Sequence, residues 1–334
     1  MEDEVPEDDI PDEKILRNIL SQIIAGSTAV ELNGSKGFVK HFAHEDQTDL
    51  ELHYDSVFEK AKSKGLPTEE EAMKLLMEQD LWTDQDESEY ASYKKYIKGL
   101  QQTKKNLIIP SQIENIEKDI EEAAKKLNKK EEERSSMLTE TCESYARNKS
   151  NDYSIYLSFH KDKECKEKLF SIEEYETLSK NQLMEWFGAY TEAIKDISIE
   201  NIKYLSISNI FGIYYNILGV NQLNKFFTKP IYELSFYQLN LLNYAKVLNS
   251  IIENVEKIPE SIKKHPDKLL DYAEAKSKNK DVVEKSKDKQ GFSVVGATKK
   301  DMGEMGVSDE LSVSPFQLAK EKGSLTIEDF QNFP

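Results

Sequence analysis

The side chains best placed to bind a metal ion form a short histidine cluster. His41 and His44 are three residues apart, and His53 follows nine residues later. On a helix, histidines at this first spacing share a face and can bind Zn²⁺ together. The sequence lacks the H-E-x-x-H pattern of zinc hydrolases. A polar loop with surface histidines accounts for the cluster better. A metal-binding enzyme that uses these three residues remains an alternative.

Other catalytic patterns in the sequence are weaker. Cys142 and Cys165 do not form a close metal-binding pair, and the segment around Cys165 and His160 is too charged to form a cleft for a Cys–His pair. The sequence contains no Walker loop and no G-x-G-x-x-G motif. With 62 acidic residues, chance carboxylate pairs are common and single out no general acid. We therefore expect no catalytic residue and no cofactor.

Charge and composition narrow the class of partner. The 334 residues include 45 basic and 62 acidic ones, which gives a formal net charge of −17. A long phosphate-binding surface needs the opposite sign, so the charge disfavours nucleic acid as a partner. No apolar run approaches the roughly 18–20 residues of a membrane span. Two cysteines among 334 residues are typical of a reducing compartment.

Low glycine and proline contents indicate long helices, and local signals place the first elements. Residues 1–13 form an acidic tail that is predicted to be disordered. Asn33-Gly34 lies between apolar residues and predicts a β-hairpin over 28–41, because both turn residues must take a positive φ. Thr68 and Glu71 have capping-box spacing at a helix start. Residues 14–165 are predicted to form an α-rich domain.

Residues 86–145 of this domain predict an antiparallel helical hairpin with a break at Pro110. Its second arm carries an apolar stripe at heptad spacing. After about two heptads, Lys130 and Arg134 fall on the stripe, so it is shorter than a long coiled coil requires. We expect the stripe to contact a partner protein or a second copy of the chain. The stripe consists of Ile113, Ile116, Ile120 and Leu127.

The second half of the chain changes from apolar to polar. Residues 170–275 include the most apolar region and predict a compact all-α domain. Residues 276–334 are predicted to be a disordered linker and tail, since 276–290 are almost wholly polar. Apolar islands in this tail predict short segments that dock on a protein surface. The predicted docking residues are Phe292, Val294, Phe316, Leu318, Leu325, Ile327 and Phe330.

A resemblance to a known family rests on residues 37–87. This stretch has a strand around Phe38 and Val39, the segment GLPTEEE at 65–71 and the segment MEQDLWTDQDE at 77–87, before the lysine-rich hairpin. With KPIYEL at 229–234 and HPDKLL at 265–270, it resembles a family of acidic helical proteins of large contractile-tailed bacteriophages. The resemblance carries no catalytic motif. It implies tail or baseplate assembly or a virion-associated role, and location in the host bacterial cytoplasm or the virion.

Together these observations predict a mostly α, non-enzymatic phage structural or assembly protein. It would act through protein–protein contacts of its helices and its C-terminal tail, with phage tail or baseplate components as partners. Besides the metal-binding enzyme, a second alternative is an acidic adaptor in DNA packaging. The lysines between 125 and 130 would then supply a local basic face, although such a run is more often a solvated helix surface.

Overall fold

The structure is a computed structural model, and it describes residues 10–287 except 33, 108, 139 and 256. The described chain is mostly helical and has a small three-stranded antiparallel sheet near its N-terminus. This confirms the predicted fold class. Residues 1–9 of the predicted acidic tail and residues 288–334 of the predicted C-terminal tail lie outside the described residues.

The helices and strands follow one another with short connections. The strands are β1 (Ser27–Leu32), β2 (Ser35–Lys40) and β3 (Phe159–His160). The helices are α1 (Glu13–Ala25), α2 (His44–Ser63), α3 (Glu69–Glu78), α4 (Asp84–Asn106), α5 (Pro110–Met137), α6 (Cys142–Ser158), α7 (Ile172–Glu176), α8 (Lys180–Ile194), α9 (Ile199–Ile207), α10 (Asn209–Leu218), α11 (Phe236–Asn254), α12 (Glu260–Lys263) and α13 (Pro266–Lys287). Short 3₁₀ turns lie at Val220–Lys225 and Ile231–Glu233.

The chain divides into two units, each assembled from two separate segments. The first unit contains residues 1–72 and 139–270, and the second contains residues 73–138 and the chain from 271 onward. The predicted consecutive domains, 14–165 and 170–275, group the chain differently, since in the first unit α1 packs on α9 and α11, and β1 packs on α8. The helical hairpin is therefore an insertion in the sequence of the first unit. It consists of α4 and α5 and ends at Met137, before the predicted 145.

Helix α13 extends beyond the predicted end of regular structure. The composition predicts a disordered linker from residue 276, whereas the helix continues to Lys287. The sequence from 267 to 290 contains neither proline nor glycine, so no residue interrupts the helix. Polar composition alone therefore misjudged this segment.

The sheet is built on the predicted hairpin. β1 and β2 pair with Leu32 opposite Ser35, and Gly34, which lies between these two residues in the chain, has a φ of 79°. β3 pairs with β2 on the other side and was not predicted. Gly37 is required there, since a Cβ at this position would lie 3.0 Å from the backbone oxygen of His160.

The main core of the first unit lies between α1, α9, α10 and α11. Helix α1 buries one face, and the aromatic and aliphatic side chains of the other three helices cover it. A buried side-chain amide closes this core, because Gln238 Nε2 donates to the backbone oxygen of Ile23 over 2.9 Å. Fully buried members include Ile19, Ile23, Ile202, Leu205, Phe211 and Leu241.

The α4–α5 hairpin of the second unit is joined by ion pairs near both of its ends. Lys104 contacts Glu117 at 2.6 Å. At the other end, Lys130 contacts Asp86 at 2.7 Å, and its ammonium group lies 5.2 Å from the ring centre of buried Trp82. Hydrogen bonds from Lys130 and from the capping residue of α4 hold the pKa of Asp86 well below its usual range. This contribution to stability is present above the unfolded pKa of the carboxyl and declines in more acidic solution.

Truncating a buried side chain of the main core should destabilise the first unit. Leu205 is 0% exposed, and we expect Leu205→Ala to lower the free energy of unfolding by about 2–5 kcal/mol. Ile217 is 76% exposed, and Ile217→Ala should change the free energy of unfolding by about 0.5 kcal/mol or less.

The two tryptophans are Trp82 in the second unit and Trp186 in the first. Urea unfolding followed by fluorescence in a Trp82→Phe background therefore reports on the first unit. Equal losses for the two variants would contradict the assigned core.

Candidate functional site

Three cavities in the described part of the first unit are large enough to bind another molecule. The α1–α10 groove has a volume of 610 Å³. The histidine cavity, which His41 and His44 border, has a volume of 470 Å³. The α2–α6 cavity, which His53 borders, has a volume of 410 Å³. Each lies within the usual range of ligand pockets, about 300–1,000 Å³.

The α1–α10 groove is largely apolar. Leu20, Ile24 and Ala25 of α1 form one wall, and Ile210 and Ile213 of α10 form the other. Helix α1 buries the adjacent face in the core, with Leu20 at the border of the two, so this wall is the edge of an amphipathic helix. Ile213 is 61% exposed, and Ile24 is also exposed. The groove therefore presents large aliphatic side chains to solvent.

The ends of α1 are defined by local hydrogen bonds. The Asp12 carboxylate accepts from the backbone N–H of Lys14 at 3.0 Å and caps the first turn. Gly26 ends the helix with a φ of 74°, and its N–H donates to the backbone oxygens of Gln22 and Ile23. These caps determine the length of the groove wall.

Two basic residues and one acidic residue lie at the groove. Arg17 contacts Glu13 at 2.6 Å, and Lys163 is exposed on the loop after β3. Ser27 Oγ donates to the backbone oxygen of Lys163 over 2.8 Å, and Asp162 accepts from backbone N–H groups of the same loop. The loop therefore holds Lys163 beside the groove. The charged groups here add up to one positive charge in a chain of net charge −17.

His41 is buried directly after β2, the central strand of the sheet. It is 3% exposed, its Nε2 lies 2.9 Å from Thr28 Oγ1, and its ring meets Tyr237 edge-on at 5.0 Å. Burial lowers the pKa of His41 from its ordinary 6.5 to about 4. The imidazole is therefore neutral at pH 7.

The three histidines of the predicted metal cluster have separate surroundings. His44 is exposed at the first turn of α2, near buried His41. His53 stacks on Tyr153 with 4.1 Å between ring centres and borders a different cavity. Within the described residues, no group of three or more histidine, cysteine or acidic side chains could hold a metal ion. The structure therefore does not bring the three proposed ligands together.

The predicted partner-binding stripe of α5 is half-buried within the hairpin. Lys130 and Arg134 continue its heptad positions, and both contact acidic residues of α4, Asp86 and Glu87. The stripe consequently faces α4, which leaves less of its surface for a partner. The stripe residues in this position are Ile113, Ile116, Ile120 and Leu127. The other predicted docking residues, Phe292, Val294, Phe316, Leu318, Leu325, Ile327 and Phe330, lie outside the described residues.

Sequence reasoning missed the groove and the aromatic surroundings of His53. Helix α10 is apolar on nearly every side, which predicts a fully buried helix. Only the tertiary packing shows that Ile213 and Ile217 remain exposed. The available sequence signal for the groove was that α10 carries more apolar residues than a single buried helix face would hold.

Protonation of His41 should destabilise the first unit in mild acid. The unfolded chain takes up this proton near pH 6.5, whereas the folded chain does so only near pH 4. Because the unfolded state binds more protons between these values, the free energy of unfolding should fall as the pH drops through them, by about 3 kcal/mol in total. The loss is measured by urea unfolding of the first unit at about pH 7 and about pH 4.5. The first value lies above the pKa of the unfolded chain, and the second lies close to that of the folded chain.

The same titration in His41→Gln should show a smaller loss, since only the other titrating groups remain, among them the carboxyl groups and His53 and His160, whose pKa values burial also lowers. His44→Gln, at an exposed position, is the matched control and should titrate like the natural chain. If His41→Gln and the natural chain lose equal stability, His41 does not have this lowered pKa.

None of the described helices combines the length and the apolar character that crossing a membrane requires. Comparison with protein-family models, with curated proteins and with solved structures finds no match for the chain.

Proposed function

We propose that this protein is a non-enzymatic assembly protein and that it binds another protein in the α1–α10 groove. Following the family that residues 37–87 resemble, we propose a tail or baseplate component of a contractile-tailed bacteriophage as the partner. The observation that carries the proposal is the exposed aliphatic lining of the groove. A soluble partner that covers Ile24 and Ile213 would remove both from water.

An amphipathic helix is the partner segment that fits such a groove. Its apolar edge would contact Ile24 and Ile213, while its polar face stayed in solvent. Arg17 and Lys163 outnumber the one acidic residue of the lining, Glu13. An acidic residue beside the apolar edge of the partner would therefore be favoured electrostatically.

The DNA-packaging alternative has less support from the described residues. The lysines between 125 and 130 were its proposed basic face. Lys125 contacts Glu121 at 2.7 Å, and Lys130 contacts Asp86. Carboxylates therefore neutralise part of this face, and phosphate groups would have to displace them. A protein partner needs no such displacement.

A charge placed in the groove should abolish binding while leaving the fold intact. We expect Ile213→Asp to reduce recovery of tail and baseplate proteins at least tenfold, because it removes apolar contact and buries a charge in the complex. Leu52→Asp is the matched control, since Leu52 on α2 is 62% exposed, against 61% for Ile213, and does not line the groove. The measurement is quantitative mass spectrometry of the virion proteins that co-purify with the tagged full-length chain.

Three outcomes of this experiment would contradict the proposal. The natural chain could retain no virion protein, Ile213→Asp could recover as much as the natural chain, or both variants could lose binding equally. A Phe330→Ser variant, tested in parallel, separates the groove from the predicted tail segments. Loss of binding in Phe330→Ser alone would place the contact in the tail and reject the groove.

A further inference from the structure

An aromatic stack ends at the α2–α6 cavity. His53 stacks on Tyr153 with an interplanar angle of 8°, and Tyr153 stacks on Tyr156 with ring centres 5.4 Å apart. Tyr175 lies against both tyrosines and also lines the cavity. One face of the His53 ring is covered by Tyr153, and its Nδ1 lies 3.3 Å from Ser150 Oγ. His53 also lines the cavity, where a planar ring could extend the stack.

Lysines surround the open end of this stack. Lys60 lies in the last turn of α2, Lys64 directly follows the helix, and Lys149 comes from α6. Lys149 has Asp152 at 3.6 Å, whereas Lys60 and Lys64 form no ion pair within the described part of the chain. Burial and the charge of Lys60 both lower the pKa of His53, so the ammonium group acts on the ring itself. An anion near Lys60 and Lys64 would gain charge-assisted hydrogen bonds.

The lining also limits how much negative charge a ligand can carry. Asp152 and Glu176 lie at the same cavity as the three lysines. These carboxylates can accept hydrogen bonds from hydroxyl groups, and they would repel a second or third phosphate. The cavity volume of 410 Å³ lies near the lower end of the range for small-ligand sites, about 300–1,000 Å³.

From this juxtaposition we propose that the α2–α6 cavity binds a nucleoside monophosphate. The base stacks on His53 at the cavity, the phosphate lies between Lys60 and Lys64, and the sugar hydroxyls face Asp152 and Glu176. The aromatic stack recognises any base through its ring face, so discrimination between bases is weak. This site is distinct from the α1–α10 groove and is independent of the proposed assembly role.

Binding of adenosine 5′-monophosphate to the full-length chain tests the proposal. Isothermal titration calorimetry should give a Kd at least tenfold lower for the monophosphate than for adenosine or inorganic phosphate alone, since each of these lacks one half of the recognition. In histidine-detected NMR, bound phosphate should raise the pKa of His53, because it offsets the charge of Lys60. The signal of exposed His44 should not move.

Matched variants locate the binding. Lys60→Gln combined with Lys64→Gln should weaken binding of the monophosphate at least tenfold. Lys62→Gln lies on the same helix but not at the cavity, and it should leave the affinity unchanged. All three positions are exposed, so the fold is expected to tolerate each variant.

Four results would overturn the site. The first is no heat and no change at His53 at millimolar monophosphate. The second is equal affinity for inorganic phosphate, which indicates a patch that binds any anion. The third is equal weakening by Lys62→Gln, and the fourth is displacement of the monophosphate by an acidic peptide of equal affinity. None of these results depends on recovery of virion proteins, so the site and the assembly role succeed or fail separately.

Discussion

One buried side-chain amide, that of Gln238, joins α1 to α11 in the first unit. Gln238 donates to the backbone oxygen of Ile23 at the end of α1, and its Oε1 accepts from the backbone N–H of Ser235 at the start of α11. A helix end buried without such partners would leave polar groups unsatisfied, at a cost of about 1–3 kcal/mol each. The amide thereby fixes where α1 ends and where α11 begins.

Neighbouring hydrogen bonds extend this junction to the sheet and to α2. The N–H of His41 donates to the oxygen of Gly26, directly after α1, and the N–H of Phe236 donates to the oxygen of Phe42, directly before α2. The groove wall on α1 and the start of the helix that carries His53 therefore depend on one connected set of bonds. The α1–α10 groove and the α2–α6 cavity therefore both depend on this junction, although the molecules proposed to bind them differ in kind.

Features with a local signal were predictable from the sequence. Gly34 lies in the turn of the hairpin, the Thr68–Glu71 capping box is present with a 2.8 Å bond from the Thr68 N–H, and Pro110 interrupts the helical hairpin as the first residue of α5. Each of these signals acts within four residues. The pairing of α2 with α6 and the addition of β3 to the sheet depend on contacts between residues far apart in the chain, such as His53 and Ser150, which are separated by 97 residues, and a single sequence carries no comparable pattern for them.

The candidate sites were less predictable from the sequence. A periodic apolar pattern indicates that a helix face is buried, but it does not show which other element or which partner packs against that face. The apolar stripe of α5 was predicted to contact a partner, and in the structure it is half-buried on the side of α5 that faces α4. Ile213 belongs to the apolar region that predicted a compact domain, and in the structure it lines an open groove. The stack of His53 on Tyr153 joins two helices whose pairing was itself unforeseen. Composition therefore identified the apolar residues but not their assignment to core or surface.

The separation of the junction residues along the chain has a consequence during synthesis. Ile23 and Gln238 are 215 residues apart. At a translation rate of roughly 5–20 residues per second, α1 must wait about 10–40 s after it emerges from the ribosome before its covering helices follow. The α4–α5 hairpin is made from adjacent segments and can form within that interval. Nascent α1 therefore exposes an apolar face for many seconds, during which a chaperone that binds apolar segments has access to it.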